Sequence, residues 1–262
     1  MRTIYVSILI IVGLALLTAC QKEVVGLGEE KDKAKILFVN AAFNASPIPF
    51  QARREIAIYP FYNGVQFNNH PIRFPWTNGY KAFEPGTMNM RFDTAQSQAN
   101  DPPGPAGRIL EFSFPTQADK YYTVFAVGTL GLQAHRPESL VIEDDLSLPS
   151  PGKAKVRVFN LCPNATALDV VTSTGVTLAS NLPFKGRRDF FEIDPGTYTV
   201  QVRAPGSTTN LVTRGNIIID PASCYTIYIT GWQPPLPSPG NTFGGYSLGI
   251  QYLANRWTNP LK

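Results

Sequence analysis

Histidine is nearly missing from this chain: two of 262 residues, His70 and His135. Neither has a second histidine or a cysteine at metal-ligand spacing, and His70 precedes Pro71 in a turn-like stretch. Both therefore read as surface or capping residues rather than ligands or general bases. No nucleophile elbow, zincin motif or phosphate-binding glycine loop is present either. The expected catalytic residues, metal ligands and cofactors are none. Charge is scarce as well, at 16% of residues, with a formal net charge of +4 and no basic cluster. That excludes nucleic acid as an expected partner. The acidic "EDD" at Glu143 to Asp145 lacks the spacing of a calcium loop and reads as the solvated end of a unit.

What the chain has in quantity is turn punctuation. Its 23 prolines and 21 glycines are spread between short β-rich runs, and 44% hydrophobic residues make it too apolar for disorder. "KVRVF" and "YTVQV" alternate apolar and polar residues, as half-buried strands do. Three signals recur in the same order. "AKILFVNAAFNAS" (34–46) is matched by "AKVRVFNLCPNAT" (154–166), "FEPGTMNMRF" (83–92) by "IDPGTYTVQV" (193–202), and "YYTVFAVG" (121–128) by "CYTIYITG" (224–231). Ordered triple matching says duplication, and the Pro–Gly stretch "LPSPGK" at 148–153 lies at the joint. The expected fold is all-β: two tandem immunoglobulin-like antiparallel β-sandwich domains, 34–148 and 153–262.

Only three cysteines occur. Residues 1–19 read as a signal peptide, with Arg2 followed by a long apolar run too short for a comfortable membrane span. "LTAC", Leu17 to Cys20, resembles the bacterial lipobox, which implies lipidation of Cys20, and residues 20–33 then read as the lipidated cysteine and a flexible tether. Gln21 is not the aspartate of an inner-membrane retention signal. "QKE" (21–23) resembles the start of the surface-export signal of Bacteroidetes lipoproteins. The expected location is the outer membrane, lipid-anchored, with exposure at the cell surface as the further expectation. Cys162 and Cys224 are candidates for a disulfide in that oxidising compartment. Against it, parallel neighbouring strands would put them at opposite ends of a sandwich, and Ala42 stands where Cys162 does in the other copy.

The pattern "AKVRVFNLCPNA…LDV…NLPF…FFEIDPGTYTVQV…YTIYITG", with the crossing "SLVIEDDLSLPSPGKAKVRVFN", resembles the bacterial domain of unknown function 4397 family over nearly all of 34–232. The resemblance implies an extracellular sandwich module, often carried by lipoproteins, without assigned catalytic residues. The first copy departs from it by an expanded segment (43–67) and by the loop "DTAQSQANDPPGPAG" (93–107).

Aromatic residues could form a sugar-stacking platform. The richest loop-like stretches are "YPFYNGVQF" (59–67) and "RFPWTNGY" (73–80), so Tyr62 and Trp76 are the candidate ligand contacts; the alternative is that they pack the core. The second copy has Phe184 in place of Trp76, which assigns binding to the first. The expected function is a non-catalytic outer-membrane lipoprotein for adhesion or for binding a glycan or envelope protein. The competing readings are a hydrolase with a site in the enlarged loops and a ligand-free spacer.

Overall fold

The structure, a computed structural model, describes residues 24–25, 30–44, 57–68, 70–94, 107–130, 133–233 and 247–258. The leader and Cys20 lie outside them. A short strand, β1 (Val24–Val25), comes first. The first copy then runs through β2 (Ala34–Asn40), β3 (Phe43–Asn44), β4 (Ala57–Tyr62), β5 (Val65–Gln66), β6 (Ile72–Arg73), β7 (Thr77–Phe83), β8 (Gly86–Thr94), β9 (Arg108–Thr116), β10 (Tyr121–Val127), β11 (Thr129–Leu130) and β12 (Glu138–Glu143). The second runs through β13 (Ala154–Asn160), β14 (Leu168–Thr172), β15 (Thr177–Leu182), β16 (Arg187–Ile193), β17 (Gly196–Arg203), β18 (Asn210–Ile219), β19 (Cys224–Thr230) and β20 (Gly249–Thr258).

Each copy folds into two facing sheets. In the first they are β12-β10-β2-β7 and β5-β4-β8-β9; in the second, β1-β20-β19-β13-β16 and β15-β14-β17-β18. Matching positions fall on matching strands, so the duplicated motifs are duplicated structure. The sheets are not wholly antiparallel: β2 pairs parallel with β10, and β13 with β19. Both copies also carry a tyrosine corner, the turn-closing bond typical of immunoglobulin-like sandwiches. The Gln117 N–H donates to the Tyr122 hydroxyl at 3.1 Å, and the Asp220 N–H to the Tyr225 hydroxyl at 3.3 Å. The two motif asparagines serve one purpose. Asn40 donates to the Ile72 carbonyl and accepts from the Ala42 N–H, and Asn160 does the same with Leu182 and Cys162.

Pattern explains burial in most strands. On β8, Met88, Met90 and Phe92 point inward to the first core and their neighbours point out. Asn63 (φ 48°) and Gly64 (φ 79°) form the tight β4–β5 hairpin, where positive φ at both positions matches the strand twist. Gly128 (φ 94°) cannot be replaced cheaply, because an added Cβ would sit 2.5 Å from the Arg136 carbonyl.

Alternation fails on β2 and β19, which are buried at every residue. The reason is a third core. Ile36 and Phe38 enter the core of the first sandwich, while Leu37 and Val39 face the other way. There they meet Phe125, Val127, Phe159, Leu161, Tyr228 and Leu253, drawn from both copies. The two inner sheets therefore pack against each other, and the molecule is a stack of four β layers. At about 1.5–3 kcal/mol per fully buried large apolar side chain, this seam couples the halves strongly. The short Pro–Gly linker that suggested separate domains joins two sandwiches that share an interface.

Residue 24 also departs from expectation. The sequence places it in a flexible tether, but Val24 pairs with Thr258 and Val25 with Trp257, adding β1 to the edge of the second sandwich.

Candidate functional site

The seam holds a polar cluster. Arg157 is only 1% exposed. Its Nε donates to Thr226 Oγ1 at 2.7 Å, Nη1 to Asp144 Oδ1 at 2.5 Å and Nη2 to Thr123 Oγ1 at 2.9 Å. The Thr123 hydroxyl donates to Asp144 Oδ2 at 2.7 Å and the Tyr80 hydroxyl to the same oxygen at 2.5 Å. Asn255 donates to Tyr80 at 3.0 Å and accepts from Thr226. Burial, reinforced by the Asp144 carboxylate, pushes the Tyr80 phenol well above its ordinary range. Every member is satisfied and none faces solvent freely, so the cluster fixes how the sandwiches dock. It corrects two sequence readings. Arg157 looked like the outward residue of an alternating strand, and Asp144 like part of a solvated acidic end. The available hint was the duplication itself, since Leu37 occupies the place of Arg157 in the first copy.

Cys162 and Cys224 are both buried and both free. Lys155 is the parallel partner of Cys224, whereas Cys162 follows the far end of β13, next to Ile229. The separation is roughly 20 Å at 3.3 Å per residue, beyond any disulfide. Cys162 instead donates to Asn164 Oδ1, and burial pushes both thiols up to about 11.

Tyr62 and Trp76 do not converge. The Tyr62 ring packs edge-on against Phe83 at 5.4 Å and joins the first core. Trp76 is 68% exposed and precedes β7 at its other end, roughly 20 Å along the strand from Phe83. Its backbone is fixed: its carbonyl accepts from the Asn40 N–H, and the neighbouring Pro75 carbonyl accepts from the Tyr228 hydroxyl at 2.6 Å. His70 is exposed, and His135 packs against the Trp232 ring at 5.5 Å.

The stretch holding Tyr62 nevertheless builds a surface. Strand alternation turns Tyr62 and Pro60 inward and Tyr59 and Phe61 outward, onto the solvent face of β4-β8-β9. Register puts Phe61 beside Arg91 and Arg91 beside Glu111; the next row is Tyr59, Asp93 and Arg108. The Arg91 guanidinium lies 4.1 Å over the Phe61 ring, and its Nε is 3.0 Å from Asp93 Oδ1. On the other side Asn89 donates to Asn63 at 3.2 Å. Asn63, Asn89, Arg91, Glu111 and Ser113 line an open concavity of about 560 Å³. The second copy is an internal control. At the matching rows it has Val171, Gln201 and Thr213, then Asp169, Arg203 and Asn210, with no aromatic residue on either.

Residues 56–171, from the segment entering β4 through most of β14, match the model of a family described as a domain of unknown function (DUF4397). No functionally curated protein matches in sequence. Two solved structures are similar over most of their length. One is CBMbc, of carbohydrate-binding family CBM26, from Eubacterium rectale Amy13K in complex with maltoheptaose: 11% identity, 79% of this chain and 98% of that one, TM-score 0.23. The other is a candidate cell adhesion protein from Parabacteroides distasonis: 9% identity, 87% and 99% coverage, TM-score 0.22.

Proposed function

We propose that this protein is a non-catalytic binding module of the bacterial envelope, lipid-anchored through Cys20, whose first sandwich binds a neutral, hydroxyl-rich ligand such as a glycan on its outer face. The observation that carries this is the difference between the copies. Duplication supplied two equivalent outer sheets; on the matching rows the second carries Asp169 and Arg203 but no aromatic residue, whereas the first sets Tyr59 and Phe61 beside Arg91, Asp93 and Glu111, with Arg91 and Glu111 lining a concavity. Guanidinium, carboxylate and carboxamide groups side by side offer the paired donors and acceptors that vicinal hydroxyls need. Arg91 and Arg108 are balanced by Asp93 and Glu111, so the face has no net charge to favour an anion. The lipobox around Cys20 supports the anchor and an outer-membrane location.

The test is a glycan array and an envelope-fraction pull-down with soluble residues 22–262. Binding should be lost in Arg91→Ala and in Glu111→Ala; the exposed Glu111 change should leave the melting temperature unchanged within about 2 °C, while Arg91, part-buried against Phe61 and Asp93, should add a modest loss of stability. It should persist in Trp76→Ala. Loss in Trp76→Ala alone would move the site to the opposite end of the sandwich, and no binding at all would favour a spacer.

A further inference from the structure

The strand directions define a common base for the whole stack. β2, β10, β13 and β19 all begin at one end, because the two parallel pairings align their starts. Along the seam, equivalent residues meet in the same order. Thr123 and Thr226 share Arg157, Phe125 meets Tyr228 at 5.9 Å, and Phe43 meets Trp232 at 6.3 Å. Both sandwiches therefore stand the same way up. β20 runs down to this base, and antiparallel β1 climbs away from it, so Val24 is the end of β1 nearer the base.

We infer that this base rests on the lipid headgroups and that the stack stands upright with Trp76 at its far end; the inference rests on the reading of Cys20 as the lipid-bearing residue. Three residues separate Cys20 from Val24, four steps that reach at most about 14 Å, so docking of β1 leaves little slack. The surface of the base fits that position. Leu148, in the loop there, is 57% exposed, and Ile218, paired with Thr197 one residue from the turn at Gly196, is 54% exposed. Val65 (68%) and Val176 (53%) flank the β4–β5 and β14–β15 hairpins, which point toward the base but stand at the level of Met90 and Val200, part-way up the outer sheets. Among the described residues, the exposed Trp76 and Leu211 lie toward the other end. Lysine–carboxylate pairs ring the same base: Lys33–Glu84, Lys35–Asp119, Lys120–Glu143, Lys153–Asp194 and Lys155–Asp145. Isolated apolar studs among ammonium and carboxylate groups suit a headgroup layer carrying both signs.

Orientation is tested apart from the anchor by coupling Cys20 of a soluble chain, residues 20–262, to a maleimide lipid. The buried Cys162 and Cys224 thiols, held at about 11, stay unreacted. The product goes into phosphatidylethanolamine–phosphatidylglycerol vesicles carrying an acceptor lipid, with a donor fluorophore on an azido amino acid at position 194 or 76. Energy transfer from 194 should exceed that from 76 by about twofold or more, the two ends being one strand length, roughly 20 Å, apart. Val24→Pro with Val25→Pro should bring the two signals to parity. Equal transfer in the unsubstituted chain, or a reversed order, overturns the orientation alone. Absence of labelled palmitate from the native chain overturns the anchor reading and the inference with it.

Discussion

Replacing Arg157 by Leu is the sharpest probe of what holds the two sandwiches together. Leu is the natural choice because Leu37 occupies the equivalent position in the first copy. The substitution removes three hydrogen bonds, to Thr226, Asp144 and Thr123, at 2.7, 2.5 and 2.9 Å. It leaves the Asp144 carboxylate, with a side chain 0% exposed, held only by two neutral hydroxyls. Breaking a buried ion pair from one side costs about 3–5 kcal/mol. In a chain of this size each kcal/mol lowers the melting temperature by about 2–4 °C, so the expected drop is about 6–20 °C. Calorimetry and urea titration should both show it. Adding Asp144→Asn removes the stranded charge and should recover at least half of the loss, although alone it weakens the wild type. A loss under about 1 kcal/mol for Arg157→Leu, or a double variant weaker than either single one, would refute the assignment of the cluster to docking.

Three smaller predictions follow the same reasoning. Tyr122→Phe should cost about 0.5–1.5 kcal/mol and Tyr225→Phe about 1–3 kcal/mol in urea titration, because Tyr225 also donates to the Asp220 carboxylate at 3.0 Å. Cys162 and Cys224 should resist a thiol reagent at pH 8 in the native state and react fully in denaturant, since burial holds both at about 11. Asp145 is held down to about 2, first by the Ser147 hydroxyl and backbone N–H and then by Lys155. Its folded value lies below its unfolded one, so the stabilisation is present above about pH 4 and is lost as pH falls toward 2. Asp145→Asn should flatten the acid limb of the melt in that window, modestly, because the side chain is 69% exposed.

The sequence by itself determined the local and the repeated. Period-two alternation made strands of residues 154–160 and 196–203, Asn63–Gly64 made a hairpin, and the ordered repeats made two equivalent sandwiches. It also marked residues 59–67 as unusual, though not which side chains of that stretch face solvent: a shift of one position along a strand exchanges its faces, so Phe61 lies outside and Tyr62 within. Tertiary structure decided everything that depends on a second layer. Alternation cannot show that the outward face of an inner sheet meets another sheet, so Arg157 read as exposed and Asp144 as solvated. Nor can composition reveal that Val24–Val25, nine residues before the first motif, closes the edge of the last strand, because pairing between residues 24 and 258 is set by where the finished sheets leave an open edge.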